Sequence, residues 1–144
     1  MSSDLKVGFH EKTSLPGLTS ELADAAVKTV WDLFDGPLPA QVDVVVIGME
    51  EHCRLHEEFL SDPTPTDVIA FPYADQDLFG EIIVNSDMAL LQAPLQKHSA
   101  LSEITLYIVH GALHLLGFDD TSKPSREEMR AAEQQVVENL REQL

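Results

Sequence analysis

From Ser99 to about Leu116 the chain reads as a helix that is apolar on almost every side, with Leu, Ile, Val and Ala at most positions. A helix of that kind is stable only when buried nearly all round, so the rest of the sequence has to supply the layers that wrap it. One stripe departs from the pattern. Glu103, Tyr107, His110 and His114 recur at spacings of three and four, which puts them on a single face. Polar groups on a buried helix need partners, and this face is where the chemistry is expected.

Two imidazoles one turn apart have Cβ atoms about 5–6 Å from each other, close enough for a ring nitrogen of each to reach one zinc ion at about 2.0–2.1 Å. Gly117 follows where a helix end often needs a left-handed residue, and a reversal there returns Phe118, Asp119 and Asp120 toward the same face. Asp120 is then the candidate third ligand beside His110 and His114. Three ligands and an open fourth position describe a catalytic zinc site, whereas structural sites are closed by four ligands, often cysteines. The bland alternative, two hydrogen-bonded core histidines, gives no reason for the glycine and the carboxylate that follow. The spacing also matches the elongated zinc-peptidase pattern H-E-x-x-H-x-x-G-x-x-H, except that Gly111 stands where that pattern has its general base, Glu. Proteolysis is therefore disfavoured. A second pair, His52 and His56, lies on a shorter helix without a glycine turn and reads as solvated surface, as do His10 and His98.

Around the central helix the sequence alternates between strand and helix signals. Leu5 to Phe9 reads as a first strand, and Thr19 caps a helix carrying Leu22, Ala26, Val30 and Phe34. Gly36-Pro37-Leu38-Pro39 breaks that helix, and the β-branched run Val42 to Ile47 is a central strand. Met49 to Leu60 returns to helical spacing, and Asp62-Pro63-Thr64-Pro65-Thr66 forms a loop. Val68 to Phe71 is a strand stopped by Pro72. Asp75 to Asp77 reads as a turn and Ile82 to Val84 as a strand. Asn85-Ser86-Asp87 caps a short helix from Met88 to Gln92, and Ser125 with Glu128 reads as a capping box for a final charged helix. Four strands and four to five helices in mixed order predict an α+β fold, a mixed sheet packed with helices, one of them the zincin-like metal helix. At 144 residues one domain spanning 1–144 is expected.

Charge narrows the partners. With 25 acidic against 9 basic residues and a formal net charge of −16, the chain lacks the broad basic surface that holds polyanions nonspecifically. Lys123, Arg126 and Arg130 cluster just after the histidine motif, but Glu127 and Glu128 beside them favour reading this as a solvated helix face. No apolar run is long enough for a signal or a membrane span, and the single Cys53 suits a reducing compartment, so a cytoplasmic protein without membrane contacts is expected.

The residues from His110 to Asp120, read as His-Gly-Ala-Leu-His-Leu-Leu-Gly-Phe-Asp-Asp, resemble the signature H-G-x-L-H-L-x-G-[YF]-D-H of the YbeY family of bacterial rRNA-maturation endoribonucleases. Thr64-Pro65-Thr66-Asp67-Val68-Ile69-Ala70-Phe71-Pro72 is similar to that family's K-P-T-[DN]-V-L-S-F-P segment, and Gly80-Glu81-Ile82 to its G-D-I strand start. The resemblance implies one zinc ion per chain held by His110 and His114, with Asp120 in the place of the family's third histidine, and Asp119 orienting a ligand or capping the turn. It implies cleavage of single-stranded RNA in rRNA maturation, including the 16S 3′ end, and in ribosome assembly or quality control, with rRNA, the ribosomal subunit and ribosome-associated proteins as partners. Position 60, where the family carries an arginine, is Leu here, so an expected phosphate contact is missing. Glu81, Glu103 and the metal hydroxide remain open as the base. Two other readings follow from the same residues: a non-catalytic ribosome-assembly factor, and a metal-dependent peptidase or small-molecule hydrolase.

Overall fold

A computed structural model describes residues 4–73 and 79–144; the turn expected at Asp75 to Asp77 lies outside the described residues. The elements run β1 (Leu5–Glu11), α1 (Ser20–Leu33), β2 (Ala40–Ile47), α2 (Met49–Leu60), β3 (Val68–Pro72), β4 (Gly80–Asn85), α3 (Ser86–Gln96), α4 (Ala100–Leu115) and α5 (Lys123–Leu140), with a short 3-10 turn at Arg141–Gln143. The sheet order is β1-β2-β4-β3. β1 and β4 both pair parallel to β2, and β3 runs antiparallel to β4. This is the α+β architecture with a four-stranded mixed sheet and, among the described residues, five α-helices. No described helix is long and apolar enough to cross a membrane.

Period-two alternation decides which side of the sheet each residue serves. Val42, Val44 and Val46 of β2 and Ile82 and Val84 of β4 are fully buried on one side. They meet Val27, Val30 and Trp31 of α1, Ile104, Ile108 and Leu113 of α4, and Val136 and Leu140 of α5 in the main core. The opposite face holds a smaller cluster, Ile47, Ile69 and Ile83, backed by Leu55 of α2. Helix α4 lies between α1, α3 and α5 on one side and β3 and β4 on the other, which explains its all-round apolar composition.

Helix boundaries follow their caps. Thr19, Asn85 and Ser99 each accept a hydrogen bond from the backbone N–H three residues on. The capping box of α5 is Ser122 with Ser125, one turn earlier than the expected Ser125 with Glu128. Pro124, which lacks an N–H and is tolerated in a helix's first turn, marks that earlier start. Helix α3 is longer than the expected Met88 to Gln92 and runs through Pro94. Burial of Ala89 and Ala93 against α4 holds the helix past the residue that removes one of its donors.

His52 corrects the sequence reading outright. Expected on the surface, it is fully buried, its Nε2–H donating to the Ile83 carbonyl at 2.9 Å while Nδ1 has no partner. It faces β4 because α2 folds onto the second side of the sheet, an arrangement that helical spacing does not reveal. Burial holds its pKa below the ordinary 6.5, outweighing the Ile83 carbonyl and the charge of Asp67. Between the lowered folded value and 6.5 the unfolded chain binds the extra proton, so this contribution to stability is complete above 6.5 and lost as pH falls through the folded pKa. His52→Gln keeps a donor but cannot titrate. Wild type is expected to be more stable than His52→Gln at pH 7.5, by about 1 kcal/mol, with the gap shrinking by pH 5.5 in urea unfolding. A gap independent of pH would show that this imidazole titrates normally.

Candidate metal centre

The site is built at the C-terminal end of α4. Leu116 closes the helix, and Gly117, at φ 99°, turns the chain in a backbone conformation that a side chain disfavours. The Gly117 N–H donates to the His114 carbonyl at 3.0 Å and the Phe118 N–H to the Leu113 carbonyl at 3.1 Å, the bond pair of a Schellman turn. Phe118 then packs edge-on against Phe34, the residue that caps the end of α1, ring centroids 5.3 Å apart. This anchor returns Asp119 and Asp120 over the last turn of α4. Asp119 caps the turn by accepting from the Thr121 N–H and hydroxyl; the Ser125 hydroxyl first, and Thr121 next, hold its carboxyl below the usual range.

His110 Nε2 and His114 Nε2 stand 3.1 Å apart, and Asp120 Oδ2 is 3.6 Å from the first and 4.0 Å from the second. Ligand atoms about 2.0–2.1 Å from a tetrahedral zinc lie roughly 3.3 Å from one another. Among the described residues these three form the group that could hold a metal, with their ligand atoms all within 4.8 Å of each other. The donor set of two imidazoles and a carboxylate suits zinc.

Glu133 of α5 was not anticipated. Its Oε2 accepts from His110 Nδ1 at 2.5 Å, which fixes the tautomer with the lone pair on Nε2, facing Asp120. A carboxylate behind a ligating histidine is a recurrent partner of metal sites. Burial lowers the pKa of His110, but the hydrogen bond and charge of Glu133, with Asp67 and Asp120, outweigh it and the net shift is upward. His114 goes the other way: burial and the charge of His110 keep it below the ordinary value against the pull of Asp120. The only sequence signal for Glu133 was its place three and seven residues after Arg130 and Arg126 on one helical face; its contact with α4 is tertiary.

The site opens into a cleft of about 320 Å³ whose lining includes Asp67, Glu103, Tyr107, Arg126, Arg130 and Glu133. Glu103 and Tyr107 lie on the polar stripe as expected, both buried. His98 is exposed, as expected, and its Nε2 meets the buried Glu103 carboxylate. The Tyr107 hydroxyl is buried without a partner, and burial first, then the neighbouring Glu103, push its phenol well up. Glu81 is removed from the candidate bases. In β4 it alternates with Gly80 and Ile82, which face α4, and so points to the other side of the sheet, where it accepts from the Tyr73 hydroxyl at 2.7 Å in a cavity with Lys12, Val45 and Phe71.

Gly111 is explained by packing. A Cβ there would lie 2.6 Å from Ile82 Cγ2 and 3.1 Å from Val68 Cγ2, so α4 touches the sheet at this residue and a peptidase glutamate has no room. Leu60 is exposed and shares a second cleft with His114 and Leu115, so position 60 approaches the site from the α2 side.

A mixed α+β sheet is thus crossed by a buried helix that ends in two imidazoles and a returning carboxylate, a group that could hold a metal. The sequence pattern of the family described as Endoribonuclease YbeY matches residues 9–141, and the chain belongs to that family. It is 33% identical to an Endoribonuclease YbeY of Saccharopolyspora erythraea over 71% of this chain and 63% of that protein, so it spans less than two-thirds of that relative's length. A second, from Thermobifida fusca, is 28% identical over 97% of both chains. The solution structure of TM1509 from Thermotoga maritima has the same fold, at a TM-score of 0.62 and 24% identity, covering 96% of this chain and 92% of that one.

If Glu133 orients His110, Glu133→Gln lowers zinc affinity by about 10–100-fold in competition with a chelating dye while leaving the thermal midpoint nearly unchanged. Equal affinity would remove the carboxylate from the site.

Proposed function

We propose that the chain is a metal-dependent endoribonuclease acting on single-stranded RNA, with one zinc ion per chain held by His110, His114 and Asp120. The observation that supports it most is the meeting of these three ligand atoms, 3.1 to 4.0 Å apart, at the edge of a cleft in a chain of this family. Bound zinc supplies Lewis acidity toward a phosphoryl oxygen and acidifies water at neutral pH. The chain's own residues do the rest. Glu133 holds the Nδ1 proton of His110, the lowered pKa of His114 keeps its ring neutral, and Asp120 adds the negative charge that balances a divalent ion. Glu103, buried beside Tyr107, remains the acidic candidate for moving a proton within the cleft. The corresponding cellular role is rRNA maturation, including the 16S 3′ end, in the cytoplasm and in company with the ribosomal subunit.

A second reading is favoured by Leu60, whose exposed apolar side chain stands where the resemblance places an arginine. It is a ribosome-assembly factor that binds RNA or ribosomal proteins without cutting. Metal-dependent peptidase chemistry is left without a base by the packing of Gly111.

The two readings separate on one preparation. For the nuclease, untagged protein carries about one zinc per chain and cleaves an unstructured labelled RNA in a chelator-sensitive manner. His114→Ala and Asp120→Ala lose both metal and cleavage, and Asp120→His retains both. Zinc-loaded protein that binds RNA and leaves it intact selects the assembly factor.

A further inference from the structure

Four carboxylates line the metal cleft, and each is already engaged. Glu133 holds His110 Nδ1, and Glu103 meets His98. Asp67 accepts from the Val68 N–H and the Thr66 hydroxyl, and Asp120 faces the two imidazoles. The same lining holds two basic side chains, Arg126 and Arg130 of α5, the helix that also carries Glu133. Among the described residues neither has a carboxylate within 4.0 Å, in a chain with 25 acidic residues. Glu127 and Glu128 do not face Arg126, because residues one and two apart on a helix diverge, and Glu127, three before Arg130 on the same side of α5, makes no ion pair with it. Glu133, one turn beyond Arg130, is taken by His110. Two like charges at i and i+4 weaken a helix, so this pair opposes local stability where an acidic sequence had every means to neutralise it.

The cleft also continues. A neighbouring cavity of about 700 Å³ shares Gln96, Leu106, Arg130 and Glu133 with it and extends along α5 past Val137 to Arg141. The opening is a groove rather than a pit, suited to a chain that passes through. Guanidinium groups one turn apart suit two neighbouring phosphates of a flexible strand, a contact that positions without reading sequence.

We propose that single-stranded RNA crosses the metal site along α5, with Arg126 and Arg130 holding two successive backbone phosphates beside the position to be cut. The inference rests on the RNA-directed reading above, but it concerns binding and holds whether or not the strand is cleaved. It replaces the expectation of an idle solvated face for these residues, and it reconciles a net charge of −16 with a polyanionic ligand by confining the attraction to one wall.

The test is fluorescence anisotropy of a short unstructured RNA against zinc-loaded full-length chain over a range of salt, with zinc content measured in parallel. Arg126→Ala/Arg130→Ala is expected to bind about tenfold more weakly at low salt, with a salt slope shallower by about 1.4, some 0.7 per lost contact on a single strand, and with zinc content unchanged. Arg126→Lys/Arg130→Lys keeps the slope. Lys6→Ala/Arg54→Ala, which removes the same charge outside the cleft, leaves both quantities at the wild-type value. Wild-type affinity and slope in the Arg126/Arg130 alanine variant would overturn the inference while leaving cleavage by wild type, and with it the nuclease reading, intact. An equal loss in the Lys6/Arg54 control would reduce it to net charge, and equal competition by a mononucleotide would replace the strand by a small anion. Failure of wild type both to bind and to cleave RNA would overturn this proposal and the functional reading together.

Discussion

The close approach of α4 to the sheet at Gly111 is the contact on which the rest of the molecule depends. With no side chain at that residue, the helix backbone packs directly on Ile82 and Val68. The depth of that contact sets the rotation of α4 about its axis: Ile108, Ala112 and Leu113 point into the core, while His110 reaches Glu133 of α5 and His114, one turn on, borders the cleft that holds Leu60. A larger residue would lift the helix, and ligand geometry tolerates little displacement. The Schellman turn at Gly117 and the Phe118–Phe34 contact then bring the chain back with Asp120 in reach. Two glycines serve the site for different reasons, one through absent bulk and the other through a positive φ.

Electrostatics in the cleft is a matter of pairing rather than of net charge. Glu133 with His110 and Glu103 with His98 are two carboxylate–imidazole contacts two turns apart along α4, and each allows a group to be partly or wholly buried that alone would be costly to desolvate. The two candidate ligands shift in opposite directions: against its burial, the hydrogen bond and charge of Glu133, with Asp67 and Asp120, raise His110, while burial and the charge of His110 leave His114 depressed. Four carboxylates and two arginines line this cleft, and the net charge of −16 disfavours nonspecific polyanion binding.

The departures from the family signature fall on two different walls. Asp120 stands at the turn after α4 where the signature has a histidine, and Leu60 stands at the end of α2 where the family carries an arginine. The first changes the charge around the metal position without removing a donor atom. The second leaves an apolar side chain at the end of α2, in a cleft it shares with His114, while α5 lines the neighbouring cleft with Arg126 and Arg130.

Much of this protein was legible in the one-dimensional pattern. Strand and helix types followed from period-two and helical spacing, the start of α4 from Ser99, and the candidate ligands from two imidazoles one turn apart followed by a helix-ending glycine and a carboxylate. These depend on residues close in sequence, whose relative geometry is set by local backbone rules. The errors share the opposite character. His52 was read as solvent-facing because its helix looks polar, and only the docking of α2 on the sheet buries it. Glu81 was a candidate base until the register of β4 sent it to the far face, and Glu133 was passed over because it meets His110 only when α5 packs on α4. The sequence by itself determined which elements form and which local triad could meet a metal. What stands behind that triad, and which charges remain unpaired around it, was decided by tertiary packing, because contacts between distant segments depend on how helices dock and no local spacing encodes that.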